Sequence, residues 1–133
     1  MREIKFRAWD KNDKVMVYVL EMKFLFESEK GIWSKGYTND RIDHEIFPEN
    51  LELMQYTGLK DKNKKEIYEG DVVGGWVCDY EGPFEVFFDA GVFSLKATIE
   101  DDGYYPCLYE GNPESGLEII GNIYETEHLL NKE

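Results

Sequence analysis

The sequence predicts a mainly β, antiparallel fold: an SH3-like barrel in the C-terminal half, an N-terminal β-hairpin and few short helices. Three observations lead there. Aromatic residues make up 15% of the 133 residues and β-branched residues cluster beside them, the composition of pleated, half-buried surfaces. Several stretches alternate apolar and polar residues with period two, and glycine-bearing turn clusters separate them at about 8 to 12 residues. No stretch between Ile67 and Tyr124 offers a helix long enough for a parallel crossover, which favours antiparallel closure.

The elements follow in order. Glu3 to Trp9 alternates, with Ile4, Phe6 and Ala8 on one face and Lys5, Arg7 and Trp9 on the other. The polar cluster Asp10 to Lys14 tolerates left-handed backbone and leads into the apolar run Val15 to Leu20, so a hairpin is expected. From Ser28 to Asn50 the pattern breaks up at Gly31, Gly36, Asn39, Asp40 and Pro48, which predicts loops, short strands or a brief helical turn. Leu51 to Leu59 alternates again and ends near Gly58. A second polar turn, Asp61 to Lys65, echoes the first in composition, and one echo over five residues is reused turn chemistry and no repeat. Val72 to Val77, Phe84 to Phe88, Val92 to Leu95 and Leu117 to Tyr124 read as strands. Gly82-Pro83, Asp89-Ala90-Gly91 and Asp101-Asp102-Gly103 punctuate them. Tyr104 to Tyr109 reads as a strand that Pro106 confines to an edge, and Leu129 and Leu130 could pack a helical turn in the tail. The whole is taken as one domain: a hairpin and irregular part over 1–65, a barrel part over 66–124 and a tail over 125–133.

Charge is distributed unevenly. Residues 1–65 carry 13 Lys and Arg against 12 Asp and Glu, whereas residues 66–133 carry 2 against 16. The second half cannot neutralise phosphates, so nucleic-acid binding through it is disfavoured. Met1 to Trp9 lacks the apolar block of a signal peptide, and no stretch nears the ~18 apolar residues of a membrane span. The expected setting is a cytoplasm. Cys78 and Cys107 match no C-x-x-C spacing and are read as reduced core thiols.

Three blocks carry a family likeness: Met1 to Asp10, Met54 to Asn63 running on to Glu69-Gly70-Asp71, and Ile119 to Glu125. In this order, over nearly the whole chain, they resemble the YopX family of phage and prophage proteins. The resemblance implies a mainly β fold, a phage origin and self-association, and it carries over no catalytic residues. One departure stands out: Lys64 occupies the place where the family usually has glycine, so a tight turn there would need positive φ from a lysine.

Sites with recognisable chemistry are sparse. The glycines form neither a phosphate loop nor a dinucleotide fingerprint, and Ser28, Ser34, Ser94 and Ser115 lack the nucleophile-elbow context. His44 lies in Asp43-His44-Glu45, but strand neighbours point to opposite faces and cannot converge on one ion, so it is read as a surface histidine among charges. His128 is blander still. Asp101 with Asp102, beside Gly103, is turn chemistry, as is Asp71 after Gly70. No catalytic, cofactor or metal residue is assigned, and the chain is expected not to be an enzyme. Lys5, Arg7 and Trp9 could clamp a single strand, but Glu3 and Asp10 undercut that face; Lys60, Lys62, Lys64 and Lys65 offer another basic contact, opposed by the acidic half.

The expected function is that of a non-catalytic interaction module, self-associating as a homo-oligomer or binding a host or phage protein. The alternative is an acidic mimic of nucleic acid that blocks a host DNA-binding protein through Glu81, Glu85, Asp89, Glu100, Asp101, Asp102, Glu110 and Glu114.

Overall fold

Asp10 starts the fold by folding its own chain back. At the end of strand β1 (Phe6–Asp10), its Oδ1 accepts the N–H groups of Asn12 and Asp13, and its carbonyl accepts the N–H of Lys14, whose φ is +54°. This turn delivers β2 (Val15–Leu25), which pairs antiparallel with β1 in the register Ala8 to Val17, so the N-terminal hairpin is present as expected. In a computed structural model, the structure describes residues 3–26, 31–98 and 103–126. Glu100, Asp101, Asp102, His128 and the Leu129–Leu130 tail lie outside the described residues, as does Ser28.

The chain divides into two compact units, one of residues 4–55 and one of residues 56–133 with 1–3. In the first, β3 (Gly31–Tyr37), β4 (His44–Ile46) and the start of β5 (Leu51–Lys60) complete an antiparallel sheet in the order β4-β3-β2-β1-β5. A single 3-10 turn at Pro48–Asn50 leads into β5. Over its described residues 31–50, the stretch expected to hold loops, short strands or a brief helical turn is two strands joined by a loop, followed by that turn. Ala8, Val17 and Ile46 are fully buried on one face, with Val15, Val19, Leu51 and Leu53 packed against them. Arg7 lies on the other face and is only 5% exposed, so the face considered as a clamp for a single strand is partly covered.

The second unit holds the end of β5, paired with β6 (Glu66–Tyr68), and a sheet in the order β10-β9-β7-β11, from β7 (Asp71–Val77), β9 (Phe84–Asp89), β10 (Val92–Ala97) and β11 (Leu117–Asn122); β8 (Tyr80–Glu81) pairs with β7. Its core is Ile67, Val73, Val77, Phe84, Val86, Leu95, Leu108 and Leu117, each worth about 1.5–3 kcal/mol of burial for the larger side chains. The fold is mainly β and antiparallel with few short helical turns, as expected. The barrel is not: β10 and β11 stand at the two ends of the sheet with no strand pairing closing them among the described residues.

Two further expectations change. Residues 104–109 are not a strand. Pro106 cannot donate; its carbonyl accepts the N–H of Leu95 and Cys107 makes an isolated bridge to Ser94, before a 3-10 turn at Leu108–Gly111. The cysteines are not core thiols: Cys78 is exposed in the β7–β8 turn at φ +55°, and Cys107 is half-buried with its thiol 3.3 Å from Glu110 Oε1.

Candidate functional site

Asp10, Asp13 and His44 meet on the N-terminal unit. The sheet explains how residues so distant in sequence converge. Cross-strand pairs put Asp10, Ala8, Val15, Val17, Gly36 and His44 on one face, yet β1 and β4 are three strand places apart, about 14 Å on a flat sheet. His44 Nε2 nevertheless lies 2.8 Å from Asp10 Oδ2, so the sheet curls and carries β4 over towards β1. Two features permit the curl. Leu20 is an extra residue between the Val19–Gly36 and Glu21–Lys35 pairs, a bulge that bends its strand. At Gly36 a Cβ would stand 1.9 Å from the Tyr18 carbonyl oxygen, so only glycine lets the strands approach this closely.

The cluster is half inside and half outside. Asp10 and His44 are each 4% exposed, whereas the Asp13 side chain is half exposed with its Oδ2 3.4 Å from the same His44 Nε2. The three ligand-type atoms lie within 4.8 Å of one another. Burial alone would raise the Asp10 carboxyl, but the hydrogen bond with His44, those from the Asp13 and Asn12 N–H groups and the charge of His44 outweigh it and hold it below its ordinary 3.8. The surface histidine of the sequence reading is thus a buried one. Its strand neighbours Asp43 and Glu45 take no part: Asp43 faces Arg41, and Glu45 accepts from Trp33 Nε1. The reasoning from adjacent residues holds; what it missed is a partner 34 residues away, for which only the hairpin turn at Asp10 gave a signal.

The second feature of this unit is an arm. β1 is registered against β2 only over Val15–Tyr18, so beyond that β2 and β3 continue as a two-stranded ribbon with no strand paired to the β1 side of Leu20–Leu25 among the described residues. The ribbon's two faces differ. Glu21 pairs with Lys35 at 3.8 Å and Lys23 lies 5.0 Å over the Trp33 ring, covering one face with charge. The other face continues the row of Val15, Val17 and Val19 through Met22, Phe24 and Ile32, and Phe24 is 62% and Phe26 83% exposed. Phe24, Leu25, Phe26, Gly31 and Ile32 line a shallow open hollow there.

Of the acidic residues singled out in the sequence, Glu81, Glu85, Asp89, Glu110 and Glu114 are among the described residues, and their surroundings differ. Glu81 and Glu114 are exposed and Asp89 sits at the β9–β10 turn, but Glu85 is half-buried opposite Lys96, and burial raises its carboxyl against the pull of that lysine. Glu110 is spent on the N–H of Cys107, a bond that holds its carboxyl low. Among the basic candidates, Lys62 pairs with Glu118 at 3.6 Å. No helix among the described residues is long and apolar enough to cross a membrane.

The solved structure of EF1440 from Enterococcus faecalis is similar: 25% identity, TM-score 0.66, over 98% of this chain and 99% of that one. YopX from Bacillus subtilis shares the fold at 24% identity and TM-score 0.56, over 95% of this chain and 97% of its own. No curated protein matches the chain. The family model described as YopX protein matches residues 5–131, and the chain belongs to the YopX family.

Proposed function

We propose that this chain is a non-catalytic interaction module that self-associates through the β2–β3 arm. One observation carries the reading: the apolar row that builds the N-terminal core runs on past the covered sheet, leaving Phe24 and Phe26 exposed beside an open strand edge. An open edge with an apolar face invites another strand. A second copy is the occupant that the arrangement favours, because two identical β2 edges can pair antiparallel about a two-fold axis and bury both hollows at once. Charge near the arm is close to balance, since residues 4–55 carry 8 Lys and Arg against 10 Asp and Glu. The excess of acid lies in residues 56–133, with 17 against 6, where it supports solubility of the assembly.

Light scattering during size-exclusion chromatography tests the reading. The full chain should elute as a dimer or larger, and a Phe24→Glu, Phe26→Glu variant as a monomer with an unchanged far-ultraviolet circular dichroism spectrum and a cooperative melt that no longer depends on protein concentration. A wild-type monomer across the accessible concentration range would overturn it. The acidic alternative, mimicry of nucleic acid, draws on the same charge excess, but Glu85 and Glu110 are engaged within the fold and leave a sparser row than duplex phosphates present, about one charge per 1.7 Å.

A further inference from the structure

We propose that Asp10, Asp13 and His44 form a binding site for a divalent first-row transition cation, of which Zn²⁺ is the natural probe. This inference is independent of self-association and would stand if the arm bound nothing.

The spacing of the donor atoms is the first argument. Bonds of about 2.1 Å to nitrogen and oxygen put neighbouring ligand atoms about 3.0 Å apart in an octahedral site and about 3.4 Å apart in a tetrahedral one. His44 Nε2 stands 2.8 Å from Asp10 Oδ2 and 3.4 Å from Asp13 Oδ2, and all three atoms fall within 4.8 Å of one another. Both His44 distances fall within about 0.6 Å of these spacings, and the half-exposed Asp13 side chain can adjust the third.

Proton count is the second. Two carboxylate oxygens converge on a single ring nitrogen, which carries at most one hydrogen. A hydrogen bond to Asp10 uses that hydrogen and leaves the Asp13 oxygen facing the same atom with less than a full bond. A dication in place of the proton would bond all three donors, and its charge equals that of the two carboxylates around a neutral imidazole.

The surroundings are those of a supported ligand set. Asp10 Oδ1 is fixed by the N–H groups of Asn12 at 2.9 Å and Asp13 at 3.1 Å, so Oδ2 is held in place for the cation, as outer hydrogen bonds do in metal sites. His44 is held by its strand pairing with Gly36. Asp13 sits at the surface, so the remaining coordination positions open to water, and the ion has a way in. One imidazole with two carboxylates suits zinc, iron, manganese or cobalt, and lacks the thiolates that copper(I) prefers. Bound metal would tie the β1–β2 turn to β4, closing the curl of the sheet.

The test uses the full chain, stripped with a chelator and titrated with zinc chloride by calorimetry at neutral pH. Wild type should bind about one Zn²⁺ per chain with a melting midpoint that rises with zinc concentration, and cobalt(II) should give visible absorption bands at the same stoichiometry. Asp13→Asn is the decisive variant, because its side chain is half outside the fold: it should melt as wild type without metal and lose tenfold or more in affinity. His44→Gln should abolish binding. Absence of a saturable heat and of a melting shift in wild type would overturn the proposal, as would affinity unaltered in Asp13→Asn, since the metal would then be held elsewhere.

Discussion

Four short polar side chains at turns do much of the local work. Asp61 is 1% exposed; its Oδ1 accepts the N–H groups of Asn63 and Lys65, and its Oδ2 that of Ile119 on β11. Asp10 does the same at the first hairpin, Asp71 accepts from Tyr68, and Asn122 Oδ1 accepts from Tyr124 and Glu125. All four lie in the blocks that carry the family resemblance, so what those blocks encode is turn geometry. Asp61→Asn should cost about 2–3 kcal/mol by urea unfolding at pH 7, because its amide would present a donor to donors. Burial pushes the Asp61 carboxyl up, but the Ile119, Lys65 and Asn63 bonds and the Lys65 charge more than reverse this and hold it below 3.8. The unfolded chain then binds the proton more readily, so the contribution is complete above the ordinary value and fades as pH falls through the lower folded one. The gap between wild type and Asp61→Asn should therefore narrow on acidification below about pH 4; a constant gap would assign the cost to packing. Lys64 confirms the strained turn that its departure from glycine implied, at φ +66°. Lys64→Gly should stabilise the fold by about 0.5–1 kcal/mol in the same assay, since a left-handed residue with a Cβ costs about 1–2 kcal/mol and glycine returns part of that in entropy.

Elements whose period matches their burial were legible in advance. β9 reads Phe84, Glu85, Val86, with Phe84 and Val86 buried and Glu85 between them, as alternation requires. β1 and β2 were legible as strands up to Val19, but Arg7 and Met16 are buried beside Ala8 and Val17, so both faces are covered there and the period did not tell the burial. The signal failed where an element is defined by what it lacks: residues 104–109 are an apolar run that reads as a strand, yet Pro106 removes a donor and the segment meets β10 through the Pro106 carbonyl and the Cys107–Ser94 bridge. Barrel closure was unreadable for a related reason, because it depends on which edges meet, and edges carry no period of their own. The bulge at Leu20 is likewise invisible to periodicity, and the cluster of Asp10, Asp13 and His44 depends on it. Gly36 is where this can be tested. A methyl there meets the Tyr18 carbonyl, so Gly36→Ala should destabilise the chain by about 3 kcal/mol in thermal or urea melts and force β2 and β3 apart. Tyr18 and Tyr37, stacked at 5.4 Å beside it, report the separation through near-ultraviolet circular dichroism, which should change in the same variant.

At the scale of the molecule, a net charge of −13 sets apolar association against mutual repulsion. Two copies brought together through their arms each carry that charge, whose long-range part is screened within about 8–10 Å at physiological salt and over far greater distances at low salt. If the contact is made by Phe24, Phe26 and a shared strand edge, no favourable charge pair is lost when salt is added, and only the repulsion weakens. Self-association should therefore tighten several-fold between ~10 mM and ~300 mM sodium chloride, measured by sedimentation equilibrium at pH 7. An interface built on acidic residues meeting the lysines of Asp61 to Lys65 would respond in the opposite sense, because each screened pair would cost affinity. Salt thus separates the two kinds of contact without a mutation. Weakening on added salt would move the interface from the arm to the charged surfaces, and the charge asymmetry between residues 1–65 and 66–133 would then be the property that brings copies together.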